Sequence, residues 1–68
     1  MNSLNEIVVG DAVFTLIDKG EIKAGSIGIV KRIYSTYHAD VRFRLENNIY
    51  RVVKRKLYDL KKIERSKL

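Results

Sequence analysis

Hydrophobic and polar positions alternate most strictly over Ala39-Asp40-Val41-Arg42-Phe43-Arg44-Leu45-Glu46, with Val41, Phe43 and Leu45 on one side of an extended chain and Arg42 and Arg44 on the other. A period of two is that of a half-buried β-strand. Asn47-Asn48 follows at once, and asparagine tolerates positive φ better than most residues, which predicts a two-residue hairpin turn. In that register Glu46 faces Ile49, Leu45 faces Tyr50, Arg44 faces Arg51 and Phe43 faces Val52. The expected core face then collects Val41, Phe43, Leu45, Tyr50 and Val52.

Earlier in the chain, Gly10-Asp11 is a turn signal ahead of the β-forming run 12–17, the expected first strand. Residues 18–25 are polar, charged and closed by glycine, which predicts a long loop. Ile27-Gly28-Ile29-Val30-Lys31-Arg32-Ile33-Tyr34 is the second strand. The glycine inside it predicts a bulge or sharp bend that lets the strand curl from one sheet to another. Ser35-Thr36-Tyr37-His38 is a polar connection. After Val53, Lys54-Arg55-Lys56 leads to Leu57, Leu60 and Ile63, whose three-residue recurrence predicts a 3₁₀ turn and a short fifth strand. A short C-terminal helix is the competing reading, since Leu57, Leu60, Lys61 and Glu64 are good helix formers.

The 68-residue chain is long enough for one core only, and no stretch approaches the roughly 18 consecutive apolar residues of a membrane span. The absence of cysteine removes disulfides, thiolate chemistry and the commonest zinc ligands, and a single histidine makes a metal site improbable. The N-terminal Met1-Asn2-Ser3-Leu4-Asn5-Glu6 lacks a basic leader and a long apolar run, which predicts a soluble cytoplasmic protein. For catalysis, Ser35, Thr36 and His38 stand close together, but only Asp40 could complete a triad, and the alternation points it outward along the same strand. No enzyme, no cofactor and no small-molecule substrate are expected.

Net charge is +6, unevenly spread. Residues 1–30 carry two cations against four acids, and residues 31–68 carry twelve against four, a balance of +8. Such asymmetry within one small domain points to a polyanionic partner.

Gly10-Asp11-x-Val13, a charged loop, Gly25-x-x-Gly28-x-Val30, Val41-x-Phe43 and Leu57-x-x-Leu60 together resemble small SH3-like barrels of the KOW type. The same layout looks like the small barrel-shaped accessory protein of photosystem I, the variable subunit of ferredoxin-thioredoxin reductase, and short proteins of Gram-positive bacteria and their prophages. The resemblance implies an all-β, five-stranded SH3-like barrel over residues 10–63, with a 3₁₀ turn near the C-terminus. Residues 1–9 form an N-terminal extension and residues 64–68 a frayed basic tail. The resemblance also implies a tendency to bind RNA or protein. The loop tip Lys19-Gly20-Glu21-Ile22-Lys23 departs from the family by not being specifically basic.

The candidate nucleic-acid-binding residues are Arg42, Arg44 and Arg51 on the outward face, with Lys31 and Arg32 on the preceding strand. Placing Arg44 across from Arg51 sets like charges opposite each other, which phosphates would relieve. Tyr34 and Tyr37 border a loop and are available either to stack on unpaired bases or to cap the barrel end. Lys54, Arg55 and Lys56 form a second basic cluster, equally readable as a solvated connector. The expected function is a small, basic, largely backbone-directed nucleic-acid-binding accessory protein, monomeric or weakly dimeric. The alternative is a protein-interaction module docking on an acidic partner surface, encoded by a phage or mobile element, with Ile49 and Val53 as exposed apolar contacts.

Overall fold

In the computed structural model, which describes residues 6–34 and 37–64, the chain forms five strands: β1 (Ala12–Thr15), β2 (Ile27–Ile33), β3 (His38–Arg44), β4 (Tyr50–Lys56) and β5 (Leu60–Lys62). They make one antiparallel sheet in the order β4-β3-β2-β1-β5, and no α-helix occurs among the described residues. The expected all-β class and the five strands are observed. A β4–β5 ladder, which would close the sheet on itself, is not among the pairings of the described residues. Residues 1–5 of the expected extension, Ser35-Thr36 of the polar connection and residues 65–68 of the tail lie outside the described residues.

Local chemistry sets the ends of the elements. β1 stops at Thr15, two residues short of the expected run. The Thr15 hydroxyl donates to the Ile17 carbonyl (3.1 Å) and accepts from the Ile17 N–H (3.3 Å), closing a turn in place of the ladder. In the loop that follows, Lys19 and Ile22 exchange backbone hydrogen bonds at 2.9 and 3.1 Å, and Ile22 turns inward to lie 2% exposed. The 3₁₀ turn Leu57–Asp59 and the short β5 settle the C-terminal alternatives against a helix. Leu57 packs on the core and Leu60 is buried, the three-residue recurrence of the turn.

The core joins Val13, Val30, Ala39, Val41, Phe43 and Leu60 with Ile22 from the loop. Gly28 lies between Val13 and Phe43 in the sheet. Its φ is not positive, unlike those of Gly10, Gly20 and Gly25. What requires glycine is space: a Cβ there would meet Val41 Cγ1 at 2.7 Å, Phe43 Cδ1 at 2.8 Å and the Arg42 carbonyl at 2.9 Å. No bulge falls at Gly28, where the pairings with Val13 and Phe43 keep register; the irregularity falls at Lys31, between Val30 and Arg32.

The β3–β4 hairpin corrects the expected register by one residue. Arg44 faces Tyr50, Phe43 faces Arg51 and Arg42 faces Val52. The connection has a three-residue 3₁₀ turn over Glu46–Asn48 with Asn48 at φ 60, closed by the Leu45 N–H donating to the Ile49 carbonyl at 2.6 Å. A two-residue turn of the primed type I needs positive φ at both central residues, whereas a type I turn followed by one left-handed residue needs it once. With no glycine in Asn47-Asn48, the single requirement is the cheaper one. The slip reverses β4: Tyr50 (50% exposed) and Val52 (53%) point outward instead of into the core.

Two predictions test this packing. Gly28→Ala should lower stability by about 1 kcal/mol and Gly28→Val by about 1–3 kcal/mol, through overpacking against Phe43 and Val41. Urea denaturation reads both, and an unchanged midpoint for Gly28→Val would contradict the close approach. At the turn, Asn48→Gly should be neutral or stabilising and Asn48→Val should cost about 1–2 kcal/mol, because a β-branched residue resists left-handed backbone. Equal midpoints for the two variants would refute the three-residue loop.

Candidate nucleic-acid interface

Because β3 alternates strictly and β4 is reversed, the outward sides of β2, β3 and β4 form one surface. Ile29 pairs with Arg42, which pairs with Val52; Arg32 pairs with Asp40, which pairs with Lys54; and Arg44 pairs with Tyr50. Ile27 is also exposed on β2. The expected opposition of Arg44 and Arg51 does not occur, since the slip replaces Arg51 with Tyr50. A shallow, open depression of about 580 Å³ runs over this surface, lined by Gly25, Ile27, Gly28, Ile29, Arg42, Arg44 and Tyr50.

Cations and tyrosine rings interleave here. The Arg42 guanidinium lies 4.3 Å from the Tyr50 ring centre, and Tyr34 is flanked by Arg32 at 5.0 Å and Lys54 at 4.7 Å. These are cation–π distances. The Tyr34 hydroxyl donates to Asp40 Oδ2 at 2.5 Å, so the Asp40 carboxylate on this face is engaged by a tyrosine. That hydrogen bond, with the Asp40 charge adding to it and Arg32 opposing, holds the Tyr34 phenol above its ordinary value of 10.0. Arg44 Nη2 donates to Asn48 Oδ1 at 2.8 Å, which orients it beside the turn.

Of the ten residues expected in the site, the sheet gathers Arg32, Tyr34, Arg42, Arg44 and Lys54 on this face. Lys31, at the register irregularity, is exposed beside it. Lys56 is exposed at the far end of β4, with Nζ 5.7 Å from the Tyr58 ring centre. Tyr37 is 60% exposed in the β2–β3 connection, where its carbonyl accepts from the Leu57 N–H at 2.6 Å. Two expected members lie off this face. Arg51 and Arg55 alternate to the inward side of β4, where Arg51 pairs with Glu21 at 3.3 Å and Arg55 is 7% exposed. Tyr50 and Val52, expected in the core, belong to the outward face, a difference carried entirely by the turn length.

Alkaline absorbance titration should show Tyr34 ionising above the ordinary tyrosine range, and Asp40→Asn should bring its midpoint down. The neutral phenol is the form the folded chain favours, so this contribution to stability is complete below the ordinary value and is lost as pH rises through the raised one. A Tyr34 midpoint that Asp40→Asn leaves unmoved would exclude the hydrogen bond as its cause. Set against protein-family models, curated proteins and solved structures, the chain matches none of them.

Proposed function

We propose that this chain is a non-enzymatic, cytoplasmic accessory module that binds single-stranded nucleic acid across the outward face of β2, β3 and β4. The observation that carries the reading is the interleaving of Arg32, Arg42, Arg44 and Lys54 with the exposed rings of Tyr34 and Tyr50. The cations suit phosphates, and exposed rings beside Ile27, Ile29 and Val52 suit unstacked bases. A duplex keeps its bases stacked and makes no use of the rings or the apolar residues. The resemblance to KOW-type SH3-like barrels points the same way.

The second reading, docking on an acidic protein surface, is favoured by the apolar residues Ile27, Ile29, Ile49 and Val52, all at least 40% exposed. Capture of a partner that survives nuclease treatment would select it.

Fluorescence titration with a single-stranded oligonucleotide should give a log affinity that falls linearly with log salt concentration. A slope near −3 is expected for about four phosphate contacts. Arg42→Ala should reduce that slope by about 0.7, whereas Tyr50→Ala should cost about 1–3 kcal/mol of affinity with the slope unchanged. Absence of association with single-stranded RNA, single-stranded DNA and duplex at low salt would end this reading.

A further inference from the structure

A guanidinium removed from water requires hydrogen-bond acceptors and a counter-charge. Arg55 has neither in full. It is 7% exposed, its Nη1 donates to the Lys54 carbonyl at 3.0 Å, and its buried Nε has no partner among the described residues. No ion pair joins it to a carboxylate among the described residues. It lines a cavity of about 320 Å³ whose other walls are Lys19, His38, Lys54, Lys56 and Asp59. Four cations thus surround one space, opposed by a single carboxylate.

Three parts of the fold meet there. The inward turn at residues 19–22 brings Lys19 up, the reversed register of β4 sends Arg55 inward, and the pairing of His38 with Lys56 places the imidazole at the rim. Nothing in the core explains a buried arginine at this position, since its neighbour across the sheet is Ala39. An apolar residue there would cost less, and the unpaired Nε marks where an acceptor is missing.

We propose that this cavity is a phosphate-binding pocket, taking the terminal dianionic phosphoryl group of a phosphate monoester. A guanidinium presents paired N–H donors matched to two phosphoryl oxygens, and Lys19 and Lys56 add point charges to the same lining. The volume is at the small end of ligand sites, sized for a phosphoryl group and part of its ester rather than a large ligand. The pocket does not depend on the nucleic-acid face: it sits at the Lys56 end of β4, shares no lining residue with the depression over Arg42 and Tyr50, and of the face's cations includes only Lys54.

The test is a magnetic resonance titration of the full chain with sodium phosphate, against sodium chloride at matched ionic strength, following the Arg55 Nε–H and the His38 ring. Saturable shifts are expected with phosphate and not with chloride. Arg55→Gln should abolish them, Lys56→Ala should weaken phosphate binding by roughly tenfold, and Arg42→Ala should leave it unchanged. Should Arg55→Gln fail to fold, Lys19→Ala and Lys56→Ala carry the same test with the arginine in place. A 5′-phosphorylated dinucleotide binding more tightly than glycerol phosphate identifies a strand end as the source, and equal binding identifies free phosphate esters. Shifts that match chloride, or that the two lysine variants leave untouched, overturn the pocket. Weakened oligonucleotide binding in Arg42→Ala with the phosphate response intact separates the two sites.

Discussion

The number of residues in the turn between β3 and β4 decides which side of β4 meets the core, and both candidate binding surfaces descend from that number. Side chains alternate along a strand, so one residue more in the turn exchanges the two faces of everything after it. With Glu46–Asn48 as the turn and Asn48 in left-handed backbone, Arg51, Val53 and Arg55 point inward and Tyr50, Val52 and Lys54 outward. The exposed tyrosine beside Arg42 and the buried arginine beside His38 are two results of the same slip.

The core that receives this strand is small and one-sided, as a chain of this size requires. β3 supplies three of its buried side chains, Ala39, Val41 and Phe43. Phe43, the bulkiest buried group, fits only because Gly28 on the next strand leaves it room. Ile22, from a loop that is otherwise polar, covers what the strands leave open. With packing confined to one side, the outward face has no structural duty that would exclude Arg32, Arg42, Arg44 and Lys54.

Charge is handled differently on the two sides. On the outward face the cations are separated by Tyr34 and Tyr50, whose rings attract them, and Asp40 is held by Tyr34. On the inward side of β4, Arg51 finds Glu21, while Arg55 finds a backbone carbonyl and a cavity lined by further cations. The basic half of the chain is therefore three environments: an open interface, a neutralised edge and a pocket lacking its counter-ion.

Everything carried by local pattern was legible in the sequence alone: the β class, the five strands, the 3₁₀ turn before β5, and the outward placement of Arg42 and Arg44. Those follow from a period of two, a period of three and turn residues, which need no distant partner to be expressed. The placement of Tyr50, Val52, Arg51 and Arg55 was not legible, because Tyr50-Arg51-Val52-Val53 has apolar residues on both sides and fits either register. Nor was the purpose of Gly28, since a glycine is silent about whether it is there for its backbone or for a neighbour's ring. Ile22 gave no sign of burial within its charged loop. The first turns on a single residue in the hairpin loop, which exchanges the two faces of β4; the other two are contacts between residues far apart in the chain, set by where the partner strand arrives, which only the folded sheet decides.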